Sequence, residues 1–62
     1  MGADDLLARV GMLEGYRAIA ERLIRRIHAG DECLKSELIH TLDRIVELAR
    51  ELRSSVDGDP GA

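Results

Sequence analysis

Aromatic side chains are almost missing from this sequence: Tyr16 stands alone, with no Phe and no Trp. Ligand and catalytic pockets are walled largely by aromatic and apolar groups, so the usual anchors of such a pocket are lacking. A single cysteine, Cys33, excludes an intramolecular disulfide framework, and no paired Cys/His spacing suits a structural zinc. The one proline, Pro60, falls near the end of the chain, so neither helical pattern is interrupted. Apolar runs reach only three residues, as at Ala18–Ala20, too short for a membrane span or a secretory signal. The expected location is therefore the cytoplasm, with no membrane partner. A net charge of −3 argues against bulk nucleic-acid binding and leaves room only for a local basic patch.

What is present is helical periodicity on both sides of Gly30. Leu6, Val10, Leu13, Ala20, Ile24 and Ile27 recur at helical spacing in the first segment, and Leu34, Leu38, Leu42, Ile45, Ala49 and Leu52 in the second. These stripes predict helices over 5–28 and 32–54. Asp4 or Asp5 is placed to cap the first, and Arg25, Arg26 and His28 suit the negative end of its dipole. Gly30 supplies the left-handed residue that ends many helices, and Asp31 is the expected cap of the next. So short a connection makes the helices antiparallel neighbours, with residue i facing about residue 60 − i. The expected organisation is an N-terminal cap over 1–4, an all-α two-helix hairpin over 5–54, and a flexible acidic tail over 55–62.

Each helix carries more apolar surface than one partner helix covers. Met12, Tyr16, Ile19 and Leu23 fall beside the first stripe, and Ile39 and Val46 beside the second. A lone hairpin is expected to leave Met12, Ile19, Ile39 and Val46 largely wet. Between Asp5 and Ser54 there are 17 Leu, Ile, Val and Met side chains, while domains of this size bury too little surface to be comfortably stable alone. Dimerisation into a four-helix bundle is the expected remedy, and docking on a larger protein the alternative. The expected contact residues are Met12, Tyr16, Ile19, Leu23, Ile39 and Val46, with Gly11 and Gly15. Those two glycines, with Ala8 and Ala18, form a small-residue stripe of the kind that lets helix backbones approach closely.

Chemistry-bearing patterns are sparse. Glu37 and His40 have the Glu-x-x-His spacing that di-iron carboxylate bundles project inward, and Glu21 lies across the turn from them. A metal site from Glu21, Glu37 and His40 is therefore one alternative, although His40 falls on the outer side of its helix. Cys33 lacks a resolving cysteine, and no nucleophile–base arrangement with a plausible pocket arises from two short helices. No enzymatic activity and no cofactor are expected. Charge is unevenly divided: residues 1–30 hold five arginines and four acids, net +1, and residues 31–62 hold four bases and eight acids, net −4. Arg22 and Arg26 share an outer face, the candidate nucleic-acid surface. Arg17 falls within the first stripe, where pairing with an acid across an interface would fix register.

Three partial resemblances follow from these residues. Two helices joined by a tight acidic turn, with a short Asp/Gly tail, resemble the Rop-type plasmid copy-number regulators. That likeness implies a dimeric four-helix bundle binding paired RNA loops, through Arg9, Arg17, Arg22 and Arg26. The run Leu23-Ile24-Arg25-Arg26-Ile27-His28-Ala29-Gly30-Asp31, with Leu34, Leu38, Asp43-Arg44, Val46 and Leu48-Ala49-Arg50, is similar to the small subunit of exonuclease VII. It implies a non-catalytic acidic hairpin; the match needs an inserted residue, and Ile45 replaces a glycine the family favours. Arg9-Val10 with Gly15, then Asp31-Glu32-Cys33, resembles the helical metal- or formaldehyde-sensing repressors, whose later His and Cys ligands and third helix are absent here. The expected function is a non-enzymatic protein–protein interaction module: adaptor, regulator, chaperone or accessory subunit.

Overall fold

The structure, a computed structural model, describes residues 2–58. It is an all-α hairpin of two helices, α1 (Ala3–His28) and α2 (Lys35–Asp57), with a 3-10 turn at Glu32–Leu34 leading into α2. Gly30 makes the reversal possible. Its φ of 122° is one that side-chain-bearing residues rarely adopt. The Gly30 N–H donates to the Ile27 carbonyl and the Asp31 N–H to that of Arg26, both at 3.0 Å. This pair of bonds is a Schellman ending, which satisfies carbonyls the terminated helix would otherwise leave open.

The helix ends differ from expectation in three places. Gly2, not Asp4 or Asp5, occupies the first cap position, and both aspartates lie within the first turn of α1. There they act through their charge on the helix dipole. Asp31 makes no side-chain cap bond; its carboxylate lies 3.4 Å from the Arg26 guanidinium instead. At the other end α2 runs on through Ser55 to Asp57, held by half-burial of Ser55 and an Arg53–Asp57 pair at 3.5 Å. Of the expected tail, residues 59–62 lie outside the described residues, as does Met1 of the expected N-terminal cap.

The core is a single seam between the helices. Leu6, Arg9, Leu13, Tyr16, Ala20, Leu23 and Ile27 turn inward from α1; Leu34, Leu38, Thr41, Ile45, Leu48, Leu52 and Ser55 answer from the other side. Both sets step alternately by three and four residues, the 3.5-residue period of two helices that wind around each other. Facing residue numbers add to about sixty, as expected. The Arg9 and Glu51 side chains approach to 3.9 Å, and the Arg44 guanidinium lies 5.7 Å from the centre of the Tyr16 ring.

This seam corrects the predicted one at four levels. Val10, Ile24, Leu42 and Ala49 are exposed, and the residues immediately before them, Arg9, Leu23, Thr41 and Leu48, sit inside. Thr41 is tolerated because its hydroxyl donates to the Glu37 carbonyl at 2.8 Å, and among the described residues no buried side-chain polar atom lacks a partner. It lies level with Ala20, a small residue facing a medium one.

Candidate functional site

The residues displaced from the seam make a second apolar surface. One position after each seam residue of α1 come Leu7, Val10, Glu14, Arg17, Glu21, Ile24 and His28. On the other side the same step gives Lys35, Ile39, Leu42, Val46, Ala49, Arg53 and Val56. Advancing one residue rotates both stripes out of the seam in the same sense about each helix direction. Since the helices run oppositely, both emerge on the same side of the hairpin. Of the nine exposed large hydrophobic residues among the described residues, seven lie on this face: Leu7, Val10, Ile24, Ile39, Leu42, Val46 and Val56. Ile39 is the most open of the α2 set at 60%, while Leu42, nearer the seam, is at 44%.

A ladder of ion pairs runs along the α1 half of this face. The Arg17 guanidinium donates from Nε to Glu14 and from Nη1 to Glu21, each at 3.2 Å, and Arg25 donates to Glu21 at 2.7 Å. Its hydrogen bonds to Glu14 first and Glu21 second hold the Arg17 guanidinium above the ordinary arginine range. All four side chains are solvated here, where such pairs contribute little stability.

The opposite face, one position before each seam residue, is different in kind. From α1 it carries Ala8, Met12, Gly15, Ile19, Arg22 and Arg26. Glu37, His40, Arg44, Glu47, Glu51 and Ser54 make up its α2 half. Arg44 donates to Glu47 at 2.7 Å, and the Tyr16 hydroxyl, then Glu47, hold its guanidinium above the usual range. Arg22 and Arg26, the candidate nucleic-acid pair, line a shallow hollow with Ile19 and Leu23.

The sequence-predicted contact residues therefore divide. Ile39 and Val46 lie on the apolar face, whereas Met12, Ile19 and Gly15 lie on the opposite one. Met12 and Ile19, like Ile39 and Val46, are exposed, as expected for a lone hairpin. Tyr16 and Leu23 are taken up by the seam itself, Leu23 as one of the three buried hydrophobic residues among those described. Gly11 is on the outer back of α1. A Cβ built on Gly11 or Gly15 meets nothing within 4 Å, so nothing in the described hairpin needs glycine there. Glu21 belongs to the apolar face, bound to Arg17 and Arg25, while Glu37 and His40 are on the other. Among the described residues no three His, Cys, Asp or Glu side chains are gathered as a metal site. Cys33 is exposed on the 3-10 turn.

Sequence reasoning missed Leu7, Val10, Ile24, Leu42 and Val56 as surface residues. The signal was available, since Ile39, Leu42, Val46 and Ala49 repeat the same three-and-four step as the seam. Among the described residues no helix is long and apolar enough to cross a membrane. The chain matches no protein-family model, and no curated protein or solved structure matches it.

Proposed function

We propose that this chain is a non-enzymatic interaction module of the cytoplasm: a helical hairpin that self-associates, as a dimer with four helices. In this reading it serves as an adaptor, regulator, chaperone or accessory subunit. One observation carries the reading. Among the described residues, only Ala20, Leu23 and Leu48 are buried hydrophobic residues, against nine large hydrophobic side chains left open. The surface of 4738 Å² also exceeds the roughly 3950 Å² of a compact monomer of this mass.

Sedimentation or light scattering of the purified chain tests it. A mass of twice 6.8 kDa that persists at micromolar concentration is the expected result. A monomer across the whole accessible range would remove the proposal.

A further inference from the structure

The apolar face is self-complementary in a specific way. Its α1 stripe is symmetric about Arg17: Glu14 and Glu21 stand on either side, then Val10 and Ile24. The α2 stripe is symmetric about the midpoint between Leu42 and Val46: next outward stand Ile39 and Ala49, then Lys35 and Arg53. The Arg9–Glu51 and Tyr16–Arg44 contacts mark the axial register of the helices, and that register sets Arg17 within about one residue, roughly 1.5 Å, of the midpoint between Leu42 and Val46. The two centres of symmetry thus coincide to within about a residue.

From this coincidence we propose that the occupant of the face is a second copy of the chain, related by a two-fold axis. The axis crosses the helices at right angles at the level of Arg17. This rests on the self-association reading and adds to it the face, the direction and the register. Each helix then lies antiparallel on its own counterpart. Val10 meets Ile24 of the partner subunit, Leu42 meets Val46 of the partner subunit, and Ile39 sits over the small Ala49 of the partner subunit. Large-on-small pairing lets facing layers interdigitate.

Charge is balanced within each copy rather than by direct pairing across the axis: Arg17 comes opposite Arg17 of the partner subunit, and Glu14 opposite Glu21 of the partner subunit. Lys35 likewise comes opposite Arg53 of the partner subunit, while the glutamates of both copies flank the two Arg17 side chains diagonally. With Arg25 included, each copy contributes two cations and two anions to this network. At the ends, Lys35 and Arg53 each bring an acid of their own chain, Glu32 at 3.8 Å and Asp57 at 3.5 Å. Area is also adequate. Seven side chains open by about half present on the order of 600 Å² per copy, approaching the ~800 Å² per partner of a standard interface.

The competing face-to-face arrangement has its axis along the helices and lays α1 on the partner's α2. It sets the Glu14–Arg17–Glu21 ladder against Ile39, Leu42 and Val46 of the partner subunit, so these charges leave water with only their own-chain partners. About the crossing axis, Arg17 also gains Glu14 and Glu21 of the partner subunit diagonally.

Cysteine cross-linking in a Cys33→Ser background separates the possibilities. Under mild oxidation, a mixture of Ile39→Cys and Ala49→Cys chains is expected to give mainly the mixed disulfide, several-fold over either homodimer. Cross-linking of Ile24→Cys with Ile39→Cys, or of Ile39→Cys with itself, overturns the arrangement. Independently, Val46→Arg is expected to weaken dimerisation at least about a hundredfold, because it places two cations at the centre of the interface. Ile19→Arg, on the opposite face, should change it less than about threefold; the reverse order overturns the assigned face while leaving self-association intact. If the wild-type chain is monomeric throughout, both the self-association reading and this one are overturned.

Discussion

At the scale of single residues, the position with the least freedom is Gly30. No side chain is near enough to crowd it, since a Cβ built there meets nothing within 4 Å. Its constraint is wholly one of backbone: at φ 122° an L-residue is strained whatever the surrounding space. Gly30→Ala is therefore expected to destabilise the hairpin by about 1–2 kcal/mol. A D-alanine at the same position, introduced by chemical synthesis, should be neutral or stabilising, because it favours positive φ. Urea unfolding followed by circular dichroism of the two chains measures the difference. Equal losses from both would mean that sterics, rather than handedness, set the need for glycine. Thr41 teaches a related lesson. A hydroxyl looks foreign to an apolar seam, yet bonding to a carbonyl one turn back makes it an acceptable medium-sized residue facing Ala20.

At the scale of the helix, α1 carries two glycines in its interior that the hairpin does not use. Glycine costs about 1 kcal/mol relative to alanine in a helix interior, and both sites have open space for a methyl group. The double variant Gly11→Ala, Gly15→Ala is thus expected to raise the melting temperature by several degrees. It should also leave dimerisation unchanged, since neither residue lies on the Leu42–Val46 face. Thermal melts with sedimentation on the same samples check both parts. A more stable helix with lost association would mean that α1 meets its partner through the glycine stripe.

The helices themselves were legible in the sequence, as was the Gly30 reversal, because period and turn chemistry are local properties. Which stripe becomes the seam was not. In α2 two apolar stripes run one residue apart, and in α1 Val10 and Ile24 compete in the same way with Arg9 and Leu23; Leu42 is as hydrophobic as Leu48. The choice is made jointly, by supercoiling and by the level at which the two helices meet. No single helix pattern contains that information. The four misplaced levels, each off by one residue, are the consequence.

For the whole molecule, shape sets the terms of stability. A chain of this length folded as a compact globule has a radius of gyration of about 11 Å; here it is 14.6 Å, in a body 49 by 16 by 10 Å. An object one helix thick has no interior beyond its seam, so each seam residue remains close to water on both faces. On the proposed self-association, part of the stability would come from the cover on the apolar face, and folding would be coupled to association. If the cover is a second copy, dilution unfolds the protein. Raising the concentration from about 1 to about 100 µM stabilises a dimer by roughly 2.7 kcal/mol. For two chains of this size that corresponds to a rise of roughly 10 °C in melting temperature. Val46→Arg should flatten this dependence while lowering the melting temperature, because the variant retains only its intramolecular seam. A melting temperature independent of concentration in the wild type would show that the seam alone sustains the fold, and that the apolar face is not required for it.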